Sequence, residues 1–172
     1  MLVPAMLYKD EIEEQFAKRM YDDDMFYYQG YAHGHETTEI KPQDNLYQWA
    51  IVSKRKGFYC YYTKQLIGYF AYRIDPNTNN VYNFGLISFD KGNPLVAKDV
   101  FDKIKELILN HHRVEWRCIG GNPALRGYKN FIKRINRKYN LQCKMHFFTD
   151  VVKDNQGMYR DEVVFEIVNN DV

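Results

Sequence analysis

The chain has 172 residues, is 45% hydrophobic and 27% charged, and carries 24 Lys/Arg against 22 Asp/Glu for a net charge of +2. That length suits one domain spanning 1–172 with its own core, and the composition excludes disorder, collagen and low complexity. The near balance argues against nucleic acid or an anionic membrane as partner, although residues 1–24 hold seven acids against three bases and residues 116–149 hold eight Lys/Arg and no acid.

Cys60, Cys118 and Cys143 form no CxxC, so neither a zinc site nor a redox pair is indicated, and a reduced, cytosolic compartment is expected. Asp10, Glu11, Glu13 and Glu14 interrupt any signal-peptide core. No apolar run approaches the ~20 residues of a membrane helix.

In chain order, Ile12, Phe16 and Met20 recur every fourth residue and predict a helix over 10–28. Residues 30–46 read as a long polar loop. Strands are predicted at 47–53, 58–63, 66–74 and 81–89, the last two forming a hairpin around Asp75-Pro76-Asn77-Thr78-Asn79-Asn80. Val100, Phe101, Ile104, Leu107 and Ile108 stripe a helix over 98–110. A strand at 114–119 follows. Asn122-Pro123 then reads as an N-cap with proline at the first helical position, opening a helix striped by Ala124, Leu125, Tyr128, Phe131, Ile132 and Ile135. Strands at 144–152 and 162–168 close the chain. This order predicts an α/β (α+β) fold, with 81–119 as a right-handed parallel crossover.

Over roughly 47–168, this order resembles the GNAT (N-acetyltransferase) superfamily. The resemblance implies a mixed central sheet of six to seven strands flanked by helices. In that family a turn after the fourth strand binds the pyrophosphate of coenzyme A at a helix N-terminus. The corresponding stretch is Gly92-Asn93-Pro94-Leu95-Val96-Ala97, where Ala97 matches the family pattern and Gly92 and Leu95 replace its Gln/Arg and first Gly. A second family pattern, Asn-x-x-Ala-x-x-x-Tyr, is met by Ala124 and Tyr128, with the Asn displaced to Asn122. The segment Gly157-Met158-Tyr159-Arg160-Asp161 is similar to the last hairpin of ribosomal-protein alanine acetyltransferases. Together with Gly85–Phe89 and Glu115-Trp116-Arg117, it is similar to small GNAT proteins of bacteria and their phages.

The resemblance implies an N-acetyltransferase that uses acetyl-CoA as cosubstrate and needs no metal. Ile87, Ser88, Phe89, Gly92, Leu95, Val96, Ala97, Lys98 and Asn122 would bind the cosubstrate. Tyr128 would protonate the departing thiolate, an acid's role that suits a group of pKa ~10. On the residues alone, Tyr128 is equally a member of the apolar stripe. Glu115 is the candidate general base, with a salt bridge to an arginine such as Arg73 as the structural alternative and Asp90 as the next candidate. The acceptor would be an amine-bearing small molecule or peptide. Its pocket would lie between the 30–46 loop (His33, His35, Glu36, Glu39, Asp44) and the hairpin carrying Asp154 and Asp161. A GNAT fold serving as a non-catalytic protein- or RNA-binding module is the alternative function. A homodimer stays open, and His33-Gly34-His35 and His111-His112 lack the companions of a metal site.

Overall fold

Alternating side chains and strong turn residues set most of the strands. The computed structural model describes residues 1–19, 39–56, 62–153 and 157–172. Its strands are β1 Leu2–Pro4, β2 Leu46–Lys56, β3 Tyr62–Asp75, β4 Asn80–Ser88, β5 Arg113–Ile119, β6 Gln142–Lys153 and β7 Tyr159–Val168. Its α-helices are α1 Lys9–Arg19, α2 Pro94–Asn110 and α3 Leu125–Tyr139, with a 3₁₀ turn at Ala5–Tyr8. The strands form one sheet in the order β1-β2-β3-β4-β5-β7-β6. All neighbours are antiparallel except β4 and β5. This is the predicted mixed sheet, with the parallel pair where the crossover was expected.

Helix periodicity decides which face each helix covers. Val96, Val100, Ile104, Leu107 and Ile108 of α2 and Tyr128, Phe131, Ile132 and Ile135 of α3 are buried against one sheet face. There they meet Phe70, Tyr72, Trp116 and Phe165. On the other face α1 buries Ile12 and Phe16 over Ala50 and Val52. The Phe16 ring stands edge-on to Tyr69 at 5.3 Å.

Some boundaries differ from expectation. The 10–28 helix is described as Lys9–Arg19, and its remainder lies outside the described residues. Of the strand expected at 58–63, residues 58–61 lie outside them, and 62–63 begin β3. Helix α2 begins at Pro94 instead of Lys98, because the Asn93 side chain accepts from Leu95 N (3.0 Å) and Pro94 supplies a pre-set φ. Ala124, not Asn122, caps α3; Asn122 Oδ1 instead accepts from Ala124 N (2.8 Å) one turn earlier. Strand β1, unforeseen, pairs Leu2 with Ile51.

Gly68 sits where β2, β3 and β4 crowd together. A Cβ there would lie 2.8 Å from the Ile87 carbonyl oxygen and 3.0 Å from Ile51 Cδ1. Backbone cannot yield as a flexible side chain does, so Gly68→Ala is expected to destabilise by about 1–3 kcal/mol, read as a lower urea midpoint.

Candidate active site

A gap in the sheet makes the main cleft. Strands β4 and β5 pair only at Asn80↔Arg113 and Val81↔Val114, then diverge. A bulge in the β3–β4 ladder, with Asn83 at φ 56°, bends β4 as the gap begins. Beyond Val81, β4's second edge is therefore not taken up by β5. The cleft formed there, about 560 Å³, is walled by Phe84, Leu86, Ile87 and Ser88 of β4 and by Trp116 and Arg117 of β5. Gly92, Asn93, Val96 and Ala97 around the start of α2, and Asn122, Pro123, Ala124 and Tyr128 around the start of α3, complete the lining.

Of the residues expected to bind cosubstrate, Ile87, Ser88, Gly92, Val96, Ala97 and Asn122 line this cleft; Phe89, Leu95 and Lys98 do not. Phe89 donates its N–H to Ile67 O (2.9 Å) and packs in the α1 core. Leu95 is 43% exposed. Lys98 points to Asp102 Oδ2 (3.5 Å), one turn along α2. The displacement follows from the early helix start, which puts 95–98 inside the first turn.

The same cap changes how an anion could be held. Pro94 has no N–H, Leu95 N–H is taken by Asn93, and Val96 N–H bonds Asn93 O (3.2 Å). Few backbone donors of this helix N-terminus remain for a phosphate. Side chains supply the positive charge instead. Arg19, Lys91 and Arg117 all line the cleft, and none was foreseen. Arg19 is held by Gln15 Oε1 (2.6 Å) and donates to Phe89 O (2.8 Å). These residues fit a phosphate-bearing cosubstrate through cations more than through helix amides.

Tyr128, also in the lining, is buried beside Trp116, Phe165 and Phe101, with ring centroids 5.6–5.7 Å apart. Burial, and to a lesser degree the Cys118 thiol, push its phenol well above the usual range. It therefore keeps its proton throughout the working pH range. Burial likewise pushes the Cys118 thiol up to about 12, which keeps it neutral and a poor nucleophile. Trp116 Nε1 is buried with no hydrogen-bond partner among the described residues.

Glu115 lies elsewhere. Side chains alternate along β5, so Val114, Trp116 and Cys118 face the α2–α3 core while Glu115 and Arg117 face away. The structure thus does not bring Glu115 together with Tyr128 in the main cleft. Its partner is Arg113 on its own strand (2.6 Å), not Arg73, which donates to Gln43 Oε1 (2.8 Å) and Asp44 O (3.3 Å). Glu115 lines a second cleft of about 460 Å³ on the opposite face, with Arg113, His146, Glu162 and Glu166. Arg117 lines both clefts, so they meet at β5. Asp90 binds Asn93 Nδ2 through Oδ2 (2.9 Å), a turn-forming contact.

Within the second cleft Glu166 accepts from Arg113 Nε and pairs with His146 Nε2, both at 2.8 Å. The His146 bond, and then the Arg113 charge, outweigh partial burial and hold its carboxyl below the usual range. A lowered folded-state value gives stability that is present above the unfolded pKa and lost as pH falls through the folded one. Glu166→Gln should flatten the stability–pH curve below about pH 4.5 and leave its alkaline side unchanged, measured by urea titration at successive pH.

Of the residues expected to form the acceptor pocket, Glu39, Asp44 and Asp161 are described, and each makes local contacts. Asp44 sits beside Arg73, which pairs with Leu46 and Tyr82, at the opposite end of β2–β4 from the cleft. Glu39 pairs with Lys41 (3.3 Å), and Asp161 Oδ1 accepts from Asp150 N (3.2 Å). His33, His35, Glu36, Asp154 and Cys60 lie outside the described residues. His111 and His112 bond the Leu107 and Asn169 carbonyls. Among the described residues no group of three or more His, Cys, Asp or Glu could hold a metal, and no helix is long and apolar enough to cross a membrane.

No protein-family model and no curated protein matches the sequence. Solved structures do match the fold. A GCN5-related N-acetyltransferase from Brucella melitensis covers 97% of this chain and 74% of its own, at 18% identity and TM-score 0.55. The Salmonella typhimurium acetyltransferase that modifies the N-terminal serine of ribosomal protein L7/L12 covers 98% and 94%, at 11% identity and TM-score 0.60. The microcin C7 self-immunity acetyltransferase MccE, solved with acetyl-CoA and AMP, covers 96% and 89%, at 13% identity and TM-score 0.57. The comparisons lend nothing to the expected likeness to phage proteins.

Proposed function

We propose that this chain, which has the GNAT fold, is an N-acetyltransferase that moves an acetyl group from acetyl-CoA to an amine. The observation that carries the reading is the β4–β5 gap, whose lining combines the cations Arg19, Lys91 and Arg117 with a buried, protonated Tyr128. Acetyl-CoA supplies an activated thioester. Arg19, Lys91 and Arg117 would hold its phosphates, and the open edge of β4 near Ile87 and Ser88 would hydrogen-bond its pantetheine arm. The amine would enter from the second cleft, where Glu115, Glu162 and Glu166, paired with Arg113 and Arg117, outnumber the arginines by one. Glu115 would take the amine's proton as nitrogen attacks the carbonyl carbon. A backbone N–H near Ile87–Phe89 would stabilise the oxyanion. As the C–S bond breaks, Tyr128 would donate its hydroxyl hydrogen to sulfur.

Isothermal calorimetry with acetyl-CoA, paired with a thiol-release assay on a panel of peptides, lysine, polyamines and aminoglycosides, tests the reading. Binding is expected, with release dependent on a cationic acceptor. Glu115→Gln should shift the pH–rate profile while leaving acetyl-CoA affinity intact. Absence of binding at millimolar acetyl-CoA would overturn the reading in favour of a non-catalytic module, which the self-capped start of α2 favours. A folded Glu115→Gln variant with an unchanged pH–rate profile would return Glu115 to a structural ion pair with Arg113.

A further inference from the structure

Helix α3 is charged in a way that the other helices are not. In α1, Lys9 pairs with Glu13 and Lys18 with Glu14; in α2, Lys98 pairs with Asp102 and Lys103 with Glu106. On α3, Arg126, Lys129, Lys133, Arg134, Arg137 and Lys138 have no carboxylate partner among the described residues. They occupy the side opposite the buried Tyr128, Phe131, Ile132 and Ile135, and all but the half-buried Lys129 are exposed. The stripe spans thirteen residues, roughly 18 Å, at about one cation or more per turn. Lys129/Lys133, Lys133/Arg137 and Arg134/Lys138 are like-charge i, i+4 pairs, each of which weakens a helix by a few tenths of a kcal/mol. The helix dipole accounts for Arg137 and Lys138 in the last turn and for none of the others. Residues 125–149 carry seven Lys/Arg and no acid, so the remainder of this +2 chain is net −5. The near-zero total hides one strongly basic segment.

Strand β6 adds the second element of the surface. Phe147 is 63% exposed on an edge strand, and the Lys129 ammonium stands 5.5 Å from its ring. A cation stripe beside an open aromatic ring matches what an unpaired polynucleotide requires: charge along the backbone and a face on which a base can stack. A duplex keeps its bases stacked inside and offers none to the ring. Unpaired bases that stack on aromatic and Arg planes are characteristic of single-stranded RNA recognition.

We propose that the outer face of α3 together with Phe147 is a docking surface for single-stranded RNA. The surface starts at Arg126, immediately beside Ala124 at the rim of the main cleft, and runs away from it. It uses none of the groups assigned to acetyl transfer, so it stands whether or not that reading does.

The test is fluorescence anisotropy with a labelled single-stranded RNA oligonucleotide, titrated at several salt concentrations. The unlabelled competitors are a duplex RNA, a single-stranded DNA and polyglutamate. Wild type should bind the RNA, with affinity falling steeply as salt rises. Lys133→Gln/Arg134→Gln/Arg137→Gln/Lys138→Gln should lower the slope of log K against log salt by about three, since each phosphate contact contributes ~0.7 on a single strand. That variant should melt no lower than wild type, because the like-charge pairs are gone. Phe147→Ala should weaken binding by about tenfold. Lys9→Gln/Lys18→Gln, which removes paired cations from α1, should change nothing. Absence of binding at low salt would overturn the proposal, as would a quadruple variant that binds like wild type or polyglutamate that competes as well as RNA. Preference for the duplex or for DNA would overturn it too.

Discussion

Tyr128→Phe is expected to lower kcat by about 10²–10⁴-fold and to leave acetyl-CoA affinity nearly unchanged. The change removes one oxygen and keeps the ring, so the contacts with Trp116, Phe101 and Phe165 survive. Burial keeps the phenol protonated, so the wild-type protein should show no alkaline loss of rate attributable to this group below about pH 10. Pre-steady-state thiol release in both proteins separates chemistry from product release. Equal single-turnover rates would make Tyr128 a packing residue alone.

Trp116→Ala should cost about 3–5 kcal/mol of stability, a large part of what a domain of this size has. Trp116 is 2% exposed and stacks on Phe165 with centroids 5.2 Å apart and planes 18° from parallel. It also meets Phe84 of β4 edge-on at 5.9 Å and Phe131 of α3 at 6.3 Å. One side chain thus ties both banks of the sheet gap to the helix above them. Trp49 remains as a fluorescence reporter for urea unfolding of the variant. A loss under 1 kcal/mol would show that the surrounding rings close the hole. Trp116→Phe should recover most of the stability.

What the sequence disclosed was mainly local. The Asp75–Asn80 turn fixed the β3–β4 hairpin, and the apolar stripes of α2 and α3 identified their buried faces before any coordinate was known. Asn93-Pro94 carried a helix-start signal as strong as Asn122-Pro123, yet the apolar stripe drew the expected boundary to Lys98. That cap, and not the apolar stripe, sets where the helix starts and leaves its N-terminus self-satisfied. Strand β1 is too short for any periodicity to show. The insertion of β7 between β5 and β6 is a long-range pairing with no local mark. Arg19, Lys91 and Arg117 converge on the cleft from three elements, and nothing in their spacing announces it. For Glu115, strict alternation along β5 already set it on the face away from Trp116. The remaining step, that Tyr128 lies on the Trp116 side, needed the packing of α3.

Only two residue pairs, Asn80↔Arg113 and Val81↔Val114, stitch β1-β2-β3-β4 to β5-β7-β6, whereas β5 and β7 are paired along seven residues. The consequence is that the sheet need not open as one body. Its halves are candidates for separate cooperative units, held in register chiefly by the side chains of α2, α3 and Trp116. Native-state hydrogen exchange should then find the amides of β5 and β7 exchanging together at one free energy and those of β2 and β3 at another. A molecule lying in the gap and bonded to the free edge of β4 would act as a splint, slowing exchange in both halves at once and drawing the two free energies together.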